Sequence, residues 1–182
     1  TVLFLFLLIL NQGIFSVLEK KHPWFSRKLM NYLFFYHLFF FIVYYAYAQF
    51  NNSDSIGYYL QAQLAQYSWF DWFGTSTTFI KFLSWPFINF LGFSYEMTML
   101  LFSRFGYIGF LYAYLFFREN IPIKIKVFGN IDFLTLVLFL PNMHFWTASL
   151  GKGAPIFMGL MMFAYAIGNP KRHLTIPTIS SA

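Results

Sequence analysis

The sequence predicts an all-α protein, a polytopic bundle of about five transmembrane helices with interfacial helices on the extracytoplasmic side. Of the 182 residues, 59% are hydrophobic and only 10% are charged, whereas roughly a quarter of the residues in soluble domains are charged. Aromatic residues make up 25%, more than a soluble domain of this size can bury. Lys and Arg occur in short runs between apolar segments, which is typical of membrane proteins. We treat residues 1–182 as a single transmembrane domain.

Five apolar segments are candidates to cross the membrane. Three of them, residues 2–18, 29–50 and 95–117, have about the length needed for a hydrocarbon core about 30 Å thick. Residues 131–140 and 154–168 are shorter. The first of these crosses if its helix begins nearer Lys126, and the alternative is a short helix that ends inside a cavity. Residues 79–93 are aromatic but interrupted by Lys, Pro and Gly, which favours a helix at the membrane surface.

The distribution of basic residues predicts the orientation of the chain. The net charge is +6, but its clustering indicates topology signals and anionic membrane lipids as partners, and no nucleic acid. The loops 19–28, 118–126 and 169–173 hold four, three and two of the twelve Lys and Arg residues. Alternating spans place all three loops on one side, which the positive-inside rule assigns to the cytoplasm. The Asp54 segment and the loop 142–153 are then extracytoplasmic.

Metal sites, disulfides and the chain ends yield only simple expectations. Cysteine is absent, so a disulfide framework and a thiolate metal site are excluded. No His, Asp or Glu residues have the spacing of metal ligands, and we assign no metal-binding residue.

The first apolar run lacks the flanks of a signal peptide, so we expect it to be a membrane span. The basic loop near residue 172 normally leads into another span, so we expect the domain to be incomplete at its C-terminus.

Asp54 is the candidate catalytic residue. It is an acidic residue in the polar island 51–59, between two very apolar regions. Asp54 and Tyr58 lie one turn apart on the same helical face. A carboxylate here can take a proton from an acceptor hydroxyl or hold a divalent cation. The alternative is a helix N-cap, in which Asp54 accepts hydrogen bonds from free backbone N–H groups.

Arg104 is a candidate for phosphate binding. It lies in the middle of the span 95–117, where a charge costs at least about 2.5 kcal/mol on insertion scales. Such a residue faces a cavity or a partner, and its guanidinium geometry suits a phosphate. The alternative is a structural ion pair with Glu96, which is two turns earlier, or snorkelling towards the interface.

The loop 142–153 carries the remaining candidates, His144, Trp146 and Lys152. Its Gly-Lys-Gly turn lets backbone N–H groups and an ammonium approach an anion, and Trp146 offers a face on which a sugar can stack. The loop is not a P-loop, because the earlier Gly and the trailing Ser or Thr are missing. A lone His near an interface more often has a structural role, which is the alternative for His144.

Two stretches resemble bacterial polytopic glycosyltransferases of the GT-C type and related polysaccharide polymerases. Residues 53–62, Ser-Asp-Ser-Ile-Gly-Tyr-Tyr-Leu-Gln-Ala, resemble the Asp-x-x-x-Tyr segment of an early extracytoplasmic loop. Residues 140–152 are similar to a Pro-x-x-x-Phe-Trp-x-x-x-x-Gly-Lys stretch in such proteins. Where the family is expected to have an acidic residue after the Lys, this chain has Gly153.

The resemblance implies transfer of a sugar from a lipid-linked, polyprenyl-phosphate donor to an extracytoplasmic glycan or lipid acceptor, in a bacterial inner membrane. Asp54 would be the base that activates the acceptor hydroxyl. Lys152 and Arg104 would stabilise the departing phosphate, and Trp146 would hold the sugar. We assign substrate-binding roles to Tyr58 and His144 as well. Some members of the family use a divalent cation, Mg²⁺ or Mn²⁺.

Two further functions fit the same membrane plan. One is a polysaccharide polymerase that acts on lipid-linked oligosaccharides. The other is a non-enzymatic scaffold or transporter subunit, in which Arg104 and Glu96 form a structural pair and Asp54 only caps a helix.

Overall fold

The computed structural model describes residues 2–64, 66–121, 125–127, 129 and 131–170. The helices are α1 (Val2–Lys21), α2 (Arg27–Phe50), α3 (Asp54–Ala62), α4 (Thr77–Asn89), α5 (Tyr95–Asn120), α6 (Phe133–Leu138), α7 (Pro141–Thr147) and α8 (Gly153–Gly168). A short 3-10 helix covers Trp69–Trp72, and the strands β1 (Lys126–Val127) and β2 (Ile131–Asp132) pair antiparallel. The predicted all-α fold is thus confirmed apart from one small hairpin.

Three helices, α1, α2 and α5, are long and apolar enough to cross a membrane, which is consistent with an integral membrane protein. The other two expected spans are shorter. α6 and α7 together form an apolar segment, but they are separated because Pro141 has no N–H and disfavours a helical residue before it. α8 has 16 residues, and these rise only about 24 Å along the helix axis.

The helix α5 lies at the centre of the bundle. In the most apolar 18-residue stretch of each helix, 61% of the residues of α5 are buried, against 17% for α1 and 28% for α2. α2 runs antiparallel to α5, as two hydrogen bonds show: one joins the start of α2 to the middle of α5, and the other joins the last turns of α2 to the start of α5. The Tyr107 hydroxyl donates to the carbonyl oxygen of Met30 at 3.0 Å, and the Tyr45 hydroxyl donates to Glu96 Oε1 at 3.3 Å. The outer faces of α1 and α2 expose large apolar side chains such as Ile9, as lipid contact requires.

Glycines allow α5 to pack tightly against α8. Gly109 lies against the Phe157 side chain, and Gly168 lies against Asn120, so the two helices run parallel. A Cβ on Gly106 would overlap the last turn of α7, and one on Gly109 would overlap the Phe157 ring. As a result, α8 begins near the middle of α5 and ends beside its last residue.

One end of the bundle carries most of the basic side chains, and we call it the basic end. Its described basic residues are Lys20, Lys21, Arg27, Lys28, Arg118 and Lys126. There His22 Nδ1 lies 3.4 Å from Glu119 Oε1, and Arg118 Nη1 lies 3.8 Å from Asp132 Oδ2. Lys124, Lys171 and Arg172, which complete the predicted basic loops, lie outside the described residues.

At the opposite end, α3 and α4 cover the ends of α2 and α5. The Ser55 hydroxyl lies 2.7 Å from the Tyr95 hydroxyl, which ties α3 to α5. Asn89 Nδ2 donates to the carbonyl oxygen of Ala62 at 3.0 Å, which ties α4 to α3. The 3-10 helix packs on α4 through Trp69, whose Nε1–H donates to the carbonyl oxygen of Phe82 at 2.9 Å.

Candidate functional site

A pocket of about 220 Å³ opens between α2, α3 and the loop that precedes α8. It is lined by Tyr44, Asp54, Tyr58, Trp146, Ser149, Leu150, Gly151, Lys152 and Gly153. Four of the six predicted site residues therefore meet in one pocket, although two come from α3 and two from the segment around α7 and α8. They lie at the end of the bundle that is opposite the basic end.

Asp54 is not the capping residue of α3. Ser53 has the extended backbone of an N-cap, and its Oγ accepts a hydrogen bond from the backbone N–H of Ser55 at 3.3 Å. The Tyr44 hydroxyl lies 3.1 Å from Ser53 Oγ and fixes this cap to α2. Asp54 is the first residue of the helix and is exposed. Its carboxylate is thus at the pocket wall, with the capping role taken by its neighbour.

Tyr58 lies one turn after Asp54 in α3, on the same wall of the pocket, and its side chain is largely buried. Burial, and then the charge of the Asp54 carboxylate, raise the pKa of the Tyr58 hydroxyl. The protonated hydroxyl can donate a hydrogen bond, and the Asp54 carboxylate is one acceptor within its reach. Asp54 and Tyr58 together provide an acceptor and a donor on one face of α3.

The loop between α7 and α8 is shaped by Gly153. A Cβ on Gly153 would overlap the carbonyl oxygen of Trp146, so the start of α8 must be glycine to pack on the end of α7. A Cβ on Gly151 would meet nothing closer than Ser149 Oγ at 3.7 Å. The glycine that stands in the place of the expected acidic residue thus has a packing reason. The Trp146 side chain is 56% exposed beside the pocket.

Lys152 connects this pocket to a second one. The second pocket has a volume of about 380 Å³ and is lined mostly by apolar side chains, among them Phe79, Ile80, Pro155 and Ile156. Lys152 lines both pockets, and its Nζ donates to Ser76 Oγ at 3.2 Å. An ammonium therefore stands where a polar pocket and an apolar groove meet.

The N-terminus of α8 adds to the positive potential at Lys152. Lys152 is the N-cap residue of this 16-residue helix. The first N–H groups of a helix have no partner within it and carry a partial positive charge. The carboxylate of Asp54 is on the α3 wall, so the pocket has one acidic and one cationic wall.

Arg104 does not line either pocket. It is 5% exposed and borders, with His37, a cavity of about 10 Å³, which has room for about one water molecule and none for a phosphate. The carboxylate of Glu96 accepts hydrogen bonds from Ser94 Oγ at 2.7 Å and from the Tyr45 hydroxyl at 3.3 Å. Among the described residues it forms no ion pair with Arg104.

His144 also points away from the pocket, although it is on the same short helix as Trp146. It is fully buried and bonds to His37 and to the carbonyl oxygen of Leu138. Arg104 and His144 thus belong to the interior of the bundle. Tyr44 and Ser76 also belong to the pockets, although the sequence does not predict either of them. In the sequence, Tyr44 is only one of several tyrosines in α2, and Ser76 is only the last residue of a Gly-Thr-Ser turn before α4.

Within the described part of the chain, no group of three or more His, Asp or Glu side chains is arranged to hold a metal ion. The pocket has one carboxylate, that of Asp54.

Comparisons of this chain with known protein families, with curated proteins and with solved structures found no match.

Proposed function

We propose that this chain is a GT-C-like membrane glycosyltransferase, which transfers a sugar from a polyprenyl-phosphate donor to a glycan or lipid acceptor. One observation carries the proposal. Asp54, Tyr58, Trp146 and Lys152 line one pocket, and Lys152 also lines an adjoining apolar groove. A polyprenyl-phosphate sugar has the matching order of parts, which is a polar sugar, an anionic phosphate and a long apolar chain.

Each wall has a defined role in the proposed reaction. The acceptor hydroxyl attacks the anomeric carbon, the bond from that carbon to the phosphate oxygen breaks, and the phosphate leaves with the electron pair. Asp54 takes the proton of the acceptor hydroxyl. Lys152 and the N-terminus of α8 stabilise the negative charge on the phosphate. The attack comes from the side opposite the leaving group, so the configuration inverts.

The remaining contacts position the donor. The indole of Trp146 provides a flat apolar face against a sugar ring, and the Tyr58 hydroxyl donates to a sugar oxygen. The groove formed by Phe79, Ile80 and Ile156 receives the first isoprene units. If a divalent cation, Mg²⁺ or Mn²⁺, takes part, Asp54 is the carboxylate of the pocket that can bind it.

The proposed placement is in a bacterial inner membrane with the pocket on the extracytoplasmic side. The basic end then faces the cytoplasm, in agreement with the positive-inside rule. The segment Phe133–Thr147 and α8 (Gly153–Gly168) serve as the fourth and fifth membrane segments.

The test is a turnover assay of the full chain in lipid nanodiscs. A panel of polyprenyl-phosphate hexoses is supplied together with a membrane extract as the source of glycan and lipid acceptors, and release of polyprenyl phosphate is measured, because this product forms whatever the acceptor. Asp54→Asn should lower the rate about 100-fold or more. The matched control is Asp71→Asn, which changes an exposed carboxylate bonded to Ser68 and should retain the rate.

Full activity of Asp54→Asn at normal expression would refute the role of Asp54 as base. No turnover of any donor by the folded wild-type chain, with no binding of polyprenyl phosphate, would favour a scaffold or transporter subunit. Turnover only of lipid-linked oligosaccharides would instead indicate a polymerase.

A further inference from the structure

Two buried histidines from different parts of the chain meet between α2 and α7. His37 Nδ1 and His144 Nδ1 are 2.9 Å apart, and both side chains are at most 2% exposed. His37 Nε2 lies 3.0 Å from the carbonyl oxygen of Ser103, and His144 Nε2 lies 2.7 Å from that of Leu138. All four ring nitrogens are therefore at hydrogen-bond distance from a partner.

Counting hydrogens shows that two neutral rings cannot satisfy these contacts. A carbonyl oxygen only accepts, so both Nε2 atoms must carry a hydrogen. The contact between the two Nδ1 atoms needs a third hydrogen, because two bare nitrogen lone pairs repel each other at this distance. Two neutral imidazoles carry only two hydrogens. The pair needs one additional proton, which gives it a net charge of +1.

The aromatic neighbours of His144 are the part of its surroundings that favours a cation. The Phe110 ring stacks on the His144 ring with centroids 3.9 Å apart and an angle of 2° between the planes. The Tyr36 ring contacts His144 at 4.8 Å, and Phe40 lies at 5.9 Å. The faces of aromatic rings attract cations, and this attraction is greater where water is absent.

The other polar groups around the pair limit it to a single proton. Arg104 and Tyr107 of α5 line the small cavity beside His37, and Tyr36 of α2 packs against His144. The guanidinium of Arg104 opposes positive charge on the pair. Desolvation opposes it too. A second proton would remove the Nδ1–Nδ1 hydrogen bond and add a charge next to Arg104.

We infer that His37 and His144 form a proton-binding site in the interior of the bundle, with one proton shared between their Nδ1 atoms. The ligand of this site is a proton exchanged with water. Its binding joins α7 to α2, and its release leaves two lone pairs facing each other and weakens that contact. The inference does not depend on the proposed glycosyltransferase activity.

Nitrogen NMR of the full chain in nanodiscs tests the shared proton. The sequence has four histidines, so histidine labelled with ¹⁵N gives few signals, and His22→Gln and His173→Gln assign the other two. Two results are expected: a scalar coupling between the two Nδ1 nuclei, and a strongly deshielded signal from the proton shared between them. Absence of this coupling at every value from about pH 5 to about pH 8, the range in which histidine titrates, would overturn the inference in a folded sample.

Two substitutions of His37 provide a second test through stability. In His37→Gln, a side-chain amide N–H can donate to His144 Nδ1 without an additional proton. In His37→Leu, that nitrogen is left buried and unpaired. The thermal midpoint of the Gln variant should therefore exceed that of the Leu variant. Equal midpoints, or a higher midpoint for Leu, would contradict a hydrogen bond to His144 Nδ1.

Discussion

The ammonium of Lys152 donates a hydrogen bond to Ser76 Oγ at 3.2 Å, and Ser76 has a backbone φ of 60° and ψ of −124°. Among the residues that the structure describes, Ser76 is the one non-glycine residue with a positive φ. A conformation of this kind costs about 1 to 3 kcal/mol in a residue with a side chain, and such strain is frequent at ligand-binding sites.

We predict that Ser76→Gly is more stable than Ser76→Ala by about 1 kcal/mol. Both substitutions remove the hydroxyl that contacts Lys152, and only glycine removes the strain. Chemical unfolding in detergent measures the difference in free energy. An alanine variant that is as stable as the glycine variant would show that Ser76 is not strained.

The second prediction concerns the cation at the junction of the two pockets. Lys152→Gln should weaken binding of a polyprenyl phosphate about tenfold or more, because a hydrogen bond to a charged group contributes about 1.5 to 3 kcal/mol. Binding to the chain in nanodiscs of neutral lipid is measured by the quenching of tryptophan fluorescence.

The matched control for Lys152 is Lys28→Gln, which removes the same charge at the basic end. It should leave the affinity unchanged. An equal loss in both variants would mean that the lipid phosphate is attracted by the net charge of the protein and not by the pocket.

The third prediction uses the two glycines beside Lys152. Gly153→Ala should destabilise the protein by about 1 to 3 kcal/mol, because its Cβ would overlap the carbonyl oxygen of Trp146. Gly151→Ala, where the nearest atom is Ser149 Oγ at 3.7 Å, should change stability little. Thermal unfolding of the two variants checks this order, and the reverse order would refute the close packing of α7 on α8.

The fourth prediction concerns Lys81 in α4, which is 8% exposed. Its Nζ donates to Gln61 Oε1 at 2.7 Å and lies 4.2 Å from the centroid of the Trp72 ring. Burial lowers the pKa of Lys81 from its usual value of 10.5. The folded protein therefore loses this proton at a lower pH than the unfolded chain does.

The free energy of unfolding should therefore rise with pH between the folded pKa of Lys81 and 10.5. In this range the unfolded chain binds more protons than the folded protein. The gain is about 1.4 kcal/mol for each unit by which the pKa is lowered. Lys81→Met should lack this part of the pH dependence in unfolding experiments. Parallel curves for wild type and variant would mean that Lys81 keeps its ordinary pKa.

The convergence of Asp54 and Lys152 could be predicted from the sequence because it depends on two simple rules. Alternating spans and the distribution of basic residues place both segments at one end of the bundle, and helical spacing places Tyr58 beside Asp54. The sequence did not show whether Ser53 or Asp54 caps α3, because the two residues are adjacent and both types are good N-caps. In the structure the N-cap is Ser53.

The positions of Arg104 and His144 could not be predicted in this way. Hydropathy shows that Arg104 lies within a span, but it does not show which neighbouring helix covers it. His144 and Trp146 are two residues apart on a short helix, so they point in different directions, and a motif that contains both residues does not reveal this. The strained Ser76 has no signal in its residue type.

The short length of α8 has a consequence for the electric field in the membrane. Because α8 begins near the middle of α5, water that reaches Lys152 leaves a non-aqueous layer of about 24 Å, where α5 as a whole rises about 39 Å. The transmembrane voltage falls mainly across such a layer, and one elementary charge that crosses it gains about 2.3 kcal/mol per 100 mV. In the proposed orientation of the chain, the field is therefore concentrated between the pocket and the basic end.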